Sequence, residues 1–330
     1  MKFSAAIALL ATSVVAAPTP TEDQPLDART VQKRASITDA ADIGYASQNG
    51  GTTGGAGGTT TTVSDLASFT AAATSDEKMV IAVSGAITGD TKVRVASDKT
   101  IVGLAGSSIK GVGLTVKGVS NVILRNLKIS EVLAAQGDAV TIQEATNVWA
   151  DHLDLSSNLD HDKDYYDGLL DVTHAAEWVT ISNSYFHDHW KASLVGHSDS
   201  NADEDTGHLH VTYANNHWSN INSRTPSFRF GTGHIFNSYY ESIIDSGINT
   251  RMGAQLLIES TVFANSSDKA ILSQDSDETG YAVVNDVDLG GSTNSAPEGT
   301  LTSVPYDYTL LGSANVKAAV AGVAGQTLTF

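Results

Sequence analysis

The chain has 330 residues, 41% of them hydrophobic, with no cysteine and a formal charge of -18. That length and apolar content supply one large core, and no shift of composition marks a second domain. The acidity argues against nucleic acid or an anionic membrane as partner, and without disulfides the fold must stand on burial and hydrogen bonding alone.

Residues 1–16 read as a signal peptide: Lys2, the apolar run Ala5 to Ala11, then Val14 and Ala16 at the minus-three and minus-one positions of a cut. The run is too short to span a bilayer. Residues 17–34 are polar, carry prolines and end in the dibasic pair Lys33-Arg34, which reads as a propeptide, so residues 35–330 form the exported domain. Gly50 to Gly58 is glycine- and threonine-rich but lacks the Gly-Lys-Ser/Thr ending of a phosphate loop, and it reads as a surface loop. Leu66, Phe69 and Ala73 have helical spacing within Val63 to Ala73, a helix placed to cap an open end.

From there the chain becomes a series of β-rich runs: Met79 to Ile87, Thr100 to Leu104, Asn121 to Ile129, Asn147 to Leu155, Trp178 to Phe186, Leu209 to Trp218, His234 to Tyr240 and Leu256 to Phe263. A shared phrase recurs at Asn121 to Asn126, Asn147 to His152, Trp178 to Asn183 and His210 to Asn216. Recurrence every ~22 to 32 residues marks a solenoid whose rungs share one core. A single-stranded, right-handed parallel β-helix with an N-terminal capping helix fits best, with asparagine at the bends because it tolerates left-handed backbone. An antiparallel sandwich would need tight hairpins, and Asp167-Gly168 is nearly the only such pair among the middle runs. Ala314 to Ala324 reads as a helix or tail closing the other end, and Asn265-Ser266-Ser267 is the one N-glycosylation sequon.

Polar function concentrates between Trp149 and Arg229. Asp160-His-Asp162-Lys-Asp164 lacks the glycine and glutamate of an EF-hand, although these acids remain candidates for an additional ion. Asp167 and Asp171, four apart, fall on one side in either periodicity, and Asp151 from the preceding rung can complete a three-carboxylate site. Hard oxygen ligands favour calcium over zinc. The alternative is that these aspartates are solvated loop residues. The pairs His187/His189 and His208/His210 have zinc-like spacing but read more simply as structural histidines. In a chain so poor in basic residues, Lys191, Arg224 and Arg229 stand out as carboxylate-binding groups, with surface salt bridges as the alternative.

Four blocks taken together, Trp149 to His152, Asp167 to Asp171, Val179 to Lys191, and Arg224 to Arg229, closely resemble the signature blocks of polysaccharide lyase family 1, the pectate lyases of the secreted fungal type. The resemblance covers roughly residues 44–330. It implies a parallel β-helix and calcium-dependent eliminative, endo-acting cleavage of polygalacturonate by an extracellular monomer. It also implies that Asp151, Asp167 and Asp171 bind calcium, that Arg224 is the base, and that Lys191 and Arg229 grip substrate carboxylates. Retention of both Asp167 and Asp171 favours pectate over methyl-esterified pectin, since pectin lyases of this fold typically place an arginine where the calcium carboxylates would sit. The Gly-Asp-Asp and Gly-His-Gly blocks of polygalacturonases are absent.

Overall fold

A computed structural model describes residues 35–330; the signal-peptide and propeptide expectations, residues 1–16 and 17–34, lie outside the described residues. The chain winds as a parallel β-solenoid in which most β-rich runs of the sequence supply two strands joined at a bend, while Thr100 to Leu104 and Leu256 to Phe263 each supply one strand. Three ladders run along the stack. The first contains Ser120–Arg125, Thr146–Asp151, Glu177–Ser182, His210–Ala214 and Thr232–Phe236. The second contains Lys128–Ser130, Asp154–Ser156, Tyr185–Lys191, His217–Ser223 and Tyr239–Glu241. The third contains Ser108–Lys117, Val140–Gln143, Leu170–Thr173, Leu194–Val195, Ser227–Arg229 and Ile248–Arg251.

Register explains the repeated phrase. Val122, Val148, Val179 and Val211 are successive partners in the first ladder, and all are fully buried. Like side chains thus stack on like down the core, each rung covering its neighbour's apolar face. At the bend after this ladder Asn126, His152, Asn183, Asn215 and Asn237 all take left-handed backbone, with φ between 50° and 56°. An asparagine adopts that conformation at small cost and offers its side chain to the next turn. Asn215 Nδ2 donates to Asn183 Oδ1 at 3.2 Å, and buried Asn126 bonds the carbonyls of Gly103 and Leu328.

The outer face of the first ladder is also covered. Tyr45 and Ala46 donate backbone bonds to Thr212 and Thr180 hydroxyls, and Tyr306 bonds Thr212 and His234 from the C-terminal segment. The glycine-rich stretch belongs to this cover rather than being a free surface loop: Gly54 and Gly55 are buried, and a Cβ on Gly55 would collide with the Met79 carbonyl. The predicted first helix forms at Leu66–Thr74, capped by Asp65, with Phe69 and Ala73 in the core. The second, Ser313–Val320, does not close an end. It lies along the side of the stack, Val316 and Val320 packing on Tyr239.

Candidate functional site

The third ladder and the bends leading into it carry the functional side chains. Asp138 lies two residues before the strand Val140–Gln143, and Asp171 lies in the strand stacked on it, Leu170–Thr173. Asp167 lies in the loop before that strand. Lys191 ends the strand Tyr185–Lys191 and pairs in register with Ser223, which puts Arg224 at the next bend position of the neighbouring rung. Arg229 and Arg251 are register partners in successive third-ladder strands.

Of the expected residues, the structure brings together Asp167, Asp171, Lys191 and Arg224. Asp171 is buried, its carboxyl pushed well above the usual carboxylate range by burial and by the charge of Asp138. Asp138 is raised as well, by burial and Asp167, against the opposing hydroxyl bond from Thr141. Gly168 separates these acids: a Cβ there would lie 2.6 Å from Asp171 Oδ1 and 2.8 Å from Asp138 Oδ1, so only glycine leaves the space between the carboxylates free. His189, buried, donates from Nε2 to the Asp167 carbonyl at 2.6 Å and accepts from Ser157 at Nδ1, fixing the backbone of Asp167. Burial lowers this imidazole to about 4, so it is neutral at neutral pH, as these two bonds require.

Asp151 does not join this group, which corrects the expected calcium set. It ends a first-ladder strand at the corner before the second ladder, whereas Asp138, Asp167 and Asp171 sit on the way into the third. Its buried carboxylate is saturated by Arg125 Nε, His152 Nδ1, Ser182 Oγ and Asn183 Nδ2, each at 2.8 Å. Burial pushes this carboxyl up, but the bond and charge of His152 and the charge of Arg125 outweigh it and hold it below its ordinary range. Arg125 passes the load on to Asp39 and to the ring of Trp149. Asp151 therefore pins the terminal cover to the solenoid. Asp138 instead stands beside Asp167 and Asp171, and the sequence signal for Asp138 is positional: it stands one rung before Gly168, as the backbone bond from Ala139 to Gly168 shows.

Among the described residues no three His, Asp or Glu side chains already close around one point. The donor set nevertheless fits a hard divalent cation: all donors are oxygen, the carboxylates repel one another across a glycine gap, and a shared cation relieves both repulsion and desolvation. Asp164 is taken by Lys191 at 2.8 Å, with Asp167 3.6 Å from the same ammonium, and Asp162 accepts the Asp164 amide. Neither histidine pair assembles as a zinc site. His187 bonds Asp154 and Asp188, while His208 and His210 both bond Glu177.

Next to the carboxylates lies a half-open groove of about 320 Å³ lined by Arg224, Arg229 and Arg251, with Asp245, Asn249 and Asp275 on its rim. Arg229 is paired with Asp199 and donates to the Gly196 carbonyl at 2.9 Å. Arg251, which sequence reasoning missed, is held by Ser276 at 2.6 Å and the Asp275 carbonyl. Burial, with the charges of Arg229 and Arg224, lowers its pKa against the opposing charges of Asp199 and Asp275. In a chain of charge -18, this is a local site for an anionic ligand.

The model of the pectate lyase family matches residues 7–328. The chain is 65% identical to pectate lyase B of Colletotrichum gloeosporioides, over 95% of this chain and 94% of that one. It is 62% identical to a probable pectate lyase B of Aspergillus flavus, over 98% and 99%. A pectate lyase of Bacillus sp. N165, solved in complex with trigalacturonate, superposes with a TM-score of 0.80 at 31% identity, covering 86% of this chain and 98% of that one. The solenoid, the paired acidic and basic faces of its third ladder and these likenesses agree: the chain belongs to the pectate lyase family and is a polysaccharide lyase.

Proposed function

We propose that this enzyme is a calcium-dependent, endo-acting pectate lyase, exported and monomeric, that cleaves de-esterified galacturonan by β-elimination. The observation that carries the reading is the juxtaposition of the Asp138, Asp167 and Asp171 carboxylates with the arginine-lined groove. Asp138, Asp167 and Asp171 would hold the calcium, whose charge would neutralise and polarise the substrate carboxylate. Arg229 and Arg251 hold neighbouring uronate carboxylates in the groove, and Lys191 exchanges Asp164 for a substrate carboxylate. Arg224 takes the C5 proton; the C5–H electron pair forms the C4–C5 double bond as the C4–O bond breaks, and the leaving oxygen acquires a proton from solvent. No water is added. A guanidinium acts as a base only after giving up a proton, so the rate climbs toward alkaline pH.

Endo action is supported by the position of the groove on the side of the stack, where a polymer can lie across several rungs. Asn265, exposed and at a bend, is accessible to a glycan on an exported chain. The test is incubation with polygalacturonate, with and without a chelator, following the absorbance of the unsaturated product. Calcium-dependent absorbance supports the proposal. Reducing ends without absorbance would mean hydrolysis, and neither signal would mean a binding protein.

A further inference from the structure

Among the described residues the large hydrophobic side chains left exposed are Tyr165, Ile244, Leu310 and Val323, and Tyr165 is the one aromatic. It is 43% exposed, yet it is not a loose side chain. One face stacks on His161, centroids 3.8 Å apart at 20°, and Tyr166 meets its edge at 4.8 Å and 85°. The loop under it is tied down at three points: Trp190 Nε1 donates to the His161 carbonyl at 2.9 Å, Ala134 N to the Tyr165 carbonyl at 3.0 Å, and Asn158 to the Tyr166 hydroxyl at 3.0 Å. The adjacent residue, Asp164, holds the Lys191 ammonium.

We propose that Tyr165, backed by His161, is a stacking platform for a galacturonate ring next to the one whose carboxylate Lys191 receives. This rests on the galacturonan reading of the site and adds a sugar-binding position to it. A pyranose ring presents an apolar C–H face between its polar edges, and a rigid aromatic ring receives that face without losing rotamer freedom on binding. The occupant is a galacturonan chain because Tyr165 adjoins Asp164, the partner of Lys191, and lies two residues before Asp167, while Trp190, next to Lys191, holds the carbonyl of His161 under the ring. His161 removes one ring face from water in advance, so the remaining contact is built for a single planar partner.

The experiment compares wild type, Tyr165→Ala and Tyr165→Phe on polygalacturonate with calcium, alongside calorimetric binding of trigalacturonate. Tyr165→Ala is expected to raise KM and weaken trigalacturonate binding about three- to tenfold, with kcat within about twofold, while Tyr165→Phe stays near wild type. Calcium requirement should not move and the melting temperature should fall only slightly, because the ring packs on exposed His161 and the edge of Tyr166 alone. Unchanged KM and binding in Tyr165→Ala would overturn the platform. So would a joint loss of kcat and calcium response, which would make the loop a support for Lys191, or a dimer lost on substitution, which would give the face to a second copy. An active wild type with an indifferent Tyr165→Ala removes only the platform; a wild type inert toward polygalacturonate removes its occupant and the galacturonan reading together.

Discussion

At the scale of single residues, Asp138 and Asp151 look alike in sequence and differ in what surrounds them. Asp151 is buried against four donors, so Asp151→Ala leaves Arg125 without its buried partner and should cost about 3 kcal/mol of stability in denaturant titration. Its calcium affinity should stay within about twofold. Asp138→Ala removes a like charge beside Asp171 and should leave metal-free stability unchanged or raised, while weakening calcium binding at least about tenfold by calorimetry. The opposite pattern would restore Asp151 to the metal site. Arg224→Lys keeps a cation in the groove but changes the reach and basicity of the proton acceptor, so it should retain trigalacturonate binding and lose about 100-fold or more in kcat. Near-normal turnover would exclude Arg224 as the base.

At the scale of elements, the site exists because two successive third-ladder strands, with the bends leading into them, carry acids around a glycine. Gly168→Ala puts a methyl group between Asp138 and Asp171, at distances real Cβ atoms do not tolerate, so one carboxylate must turn away. The expected result is a calcium requirement raised at least about tenfold with the solenoid intact by circular dichroism, as the collision is with the ends of two side chains and not with backbone. The bend ladder is a second element with its own test. Asn126→Ala loses the bonds to Gly103 and Leu328 and places alanine at φ 54°, which should cost about 2 to 3 kcal/mol and release the C-terminal segment to proteolysis. Resistance equal to wild type would show that burial alone holds that segment.

For the whole molecule, stability as a function of pH follows from buried histidines. His189 and His234 are lowered by burial to about 4, below their unfolded value near 6.5. Between those values the unfolded chain binds more protons, so these groups' stabilisation is complete above ~6.5 and is lost as pH falls toward ~4, by at most about 3 kcal/mol each. His187 acts the other way: bonds to Asp154 and Asp188 outweigh its burial and raise it, so its contribution is present at acid pH and fades as pH rises through its folded value. Four lowered histidines, these two with His197 and His217, against one raised predict a lower denaturant midpoint at pH 4.5 than at pH 7, measured with calcium so that Asp138 and Asp171 stay ionised. A flat profile between the two would contradict the buried neutral state of His189 and His234.

Periodicity alone determined the solenoid and most of its first two ladders, because each rung must repeat an apolar pattern to cover its neighbour, and asparagine marks the bends by its backbone tolerance. The third ladder was largely illegible: strands such as Leu194–Val195 and Ser227–Arg229 are two or three residues long, too short to show alternation. The site lies on that ladder, so Asp167, Asp171, Lys191 and Arg224 were readable from residue type and resemblance, and the pairing of Asp167 with Asp171 from spacing, but not the place of Asp138 beside them. Only the tertiary structure decided that Asp151 faces one corner and Asp138 another. A turn of a β-helix sends residues a few positions apart to different faces, and which acids meet depends on where each bend falls.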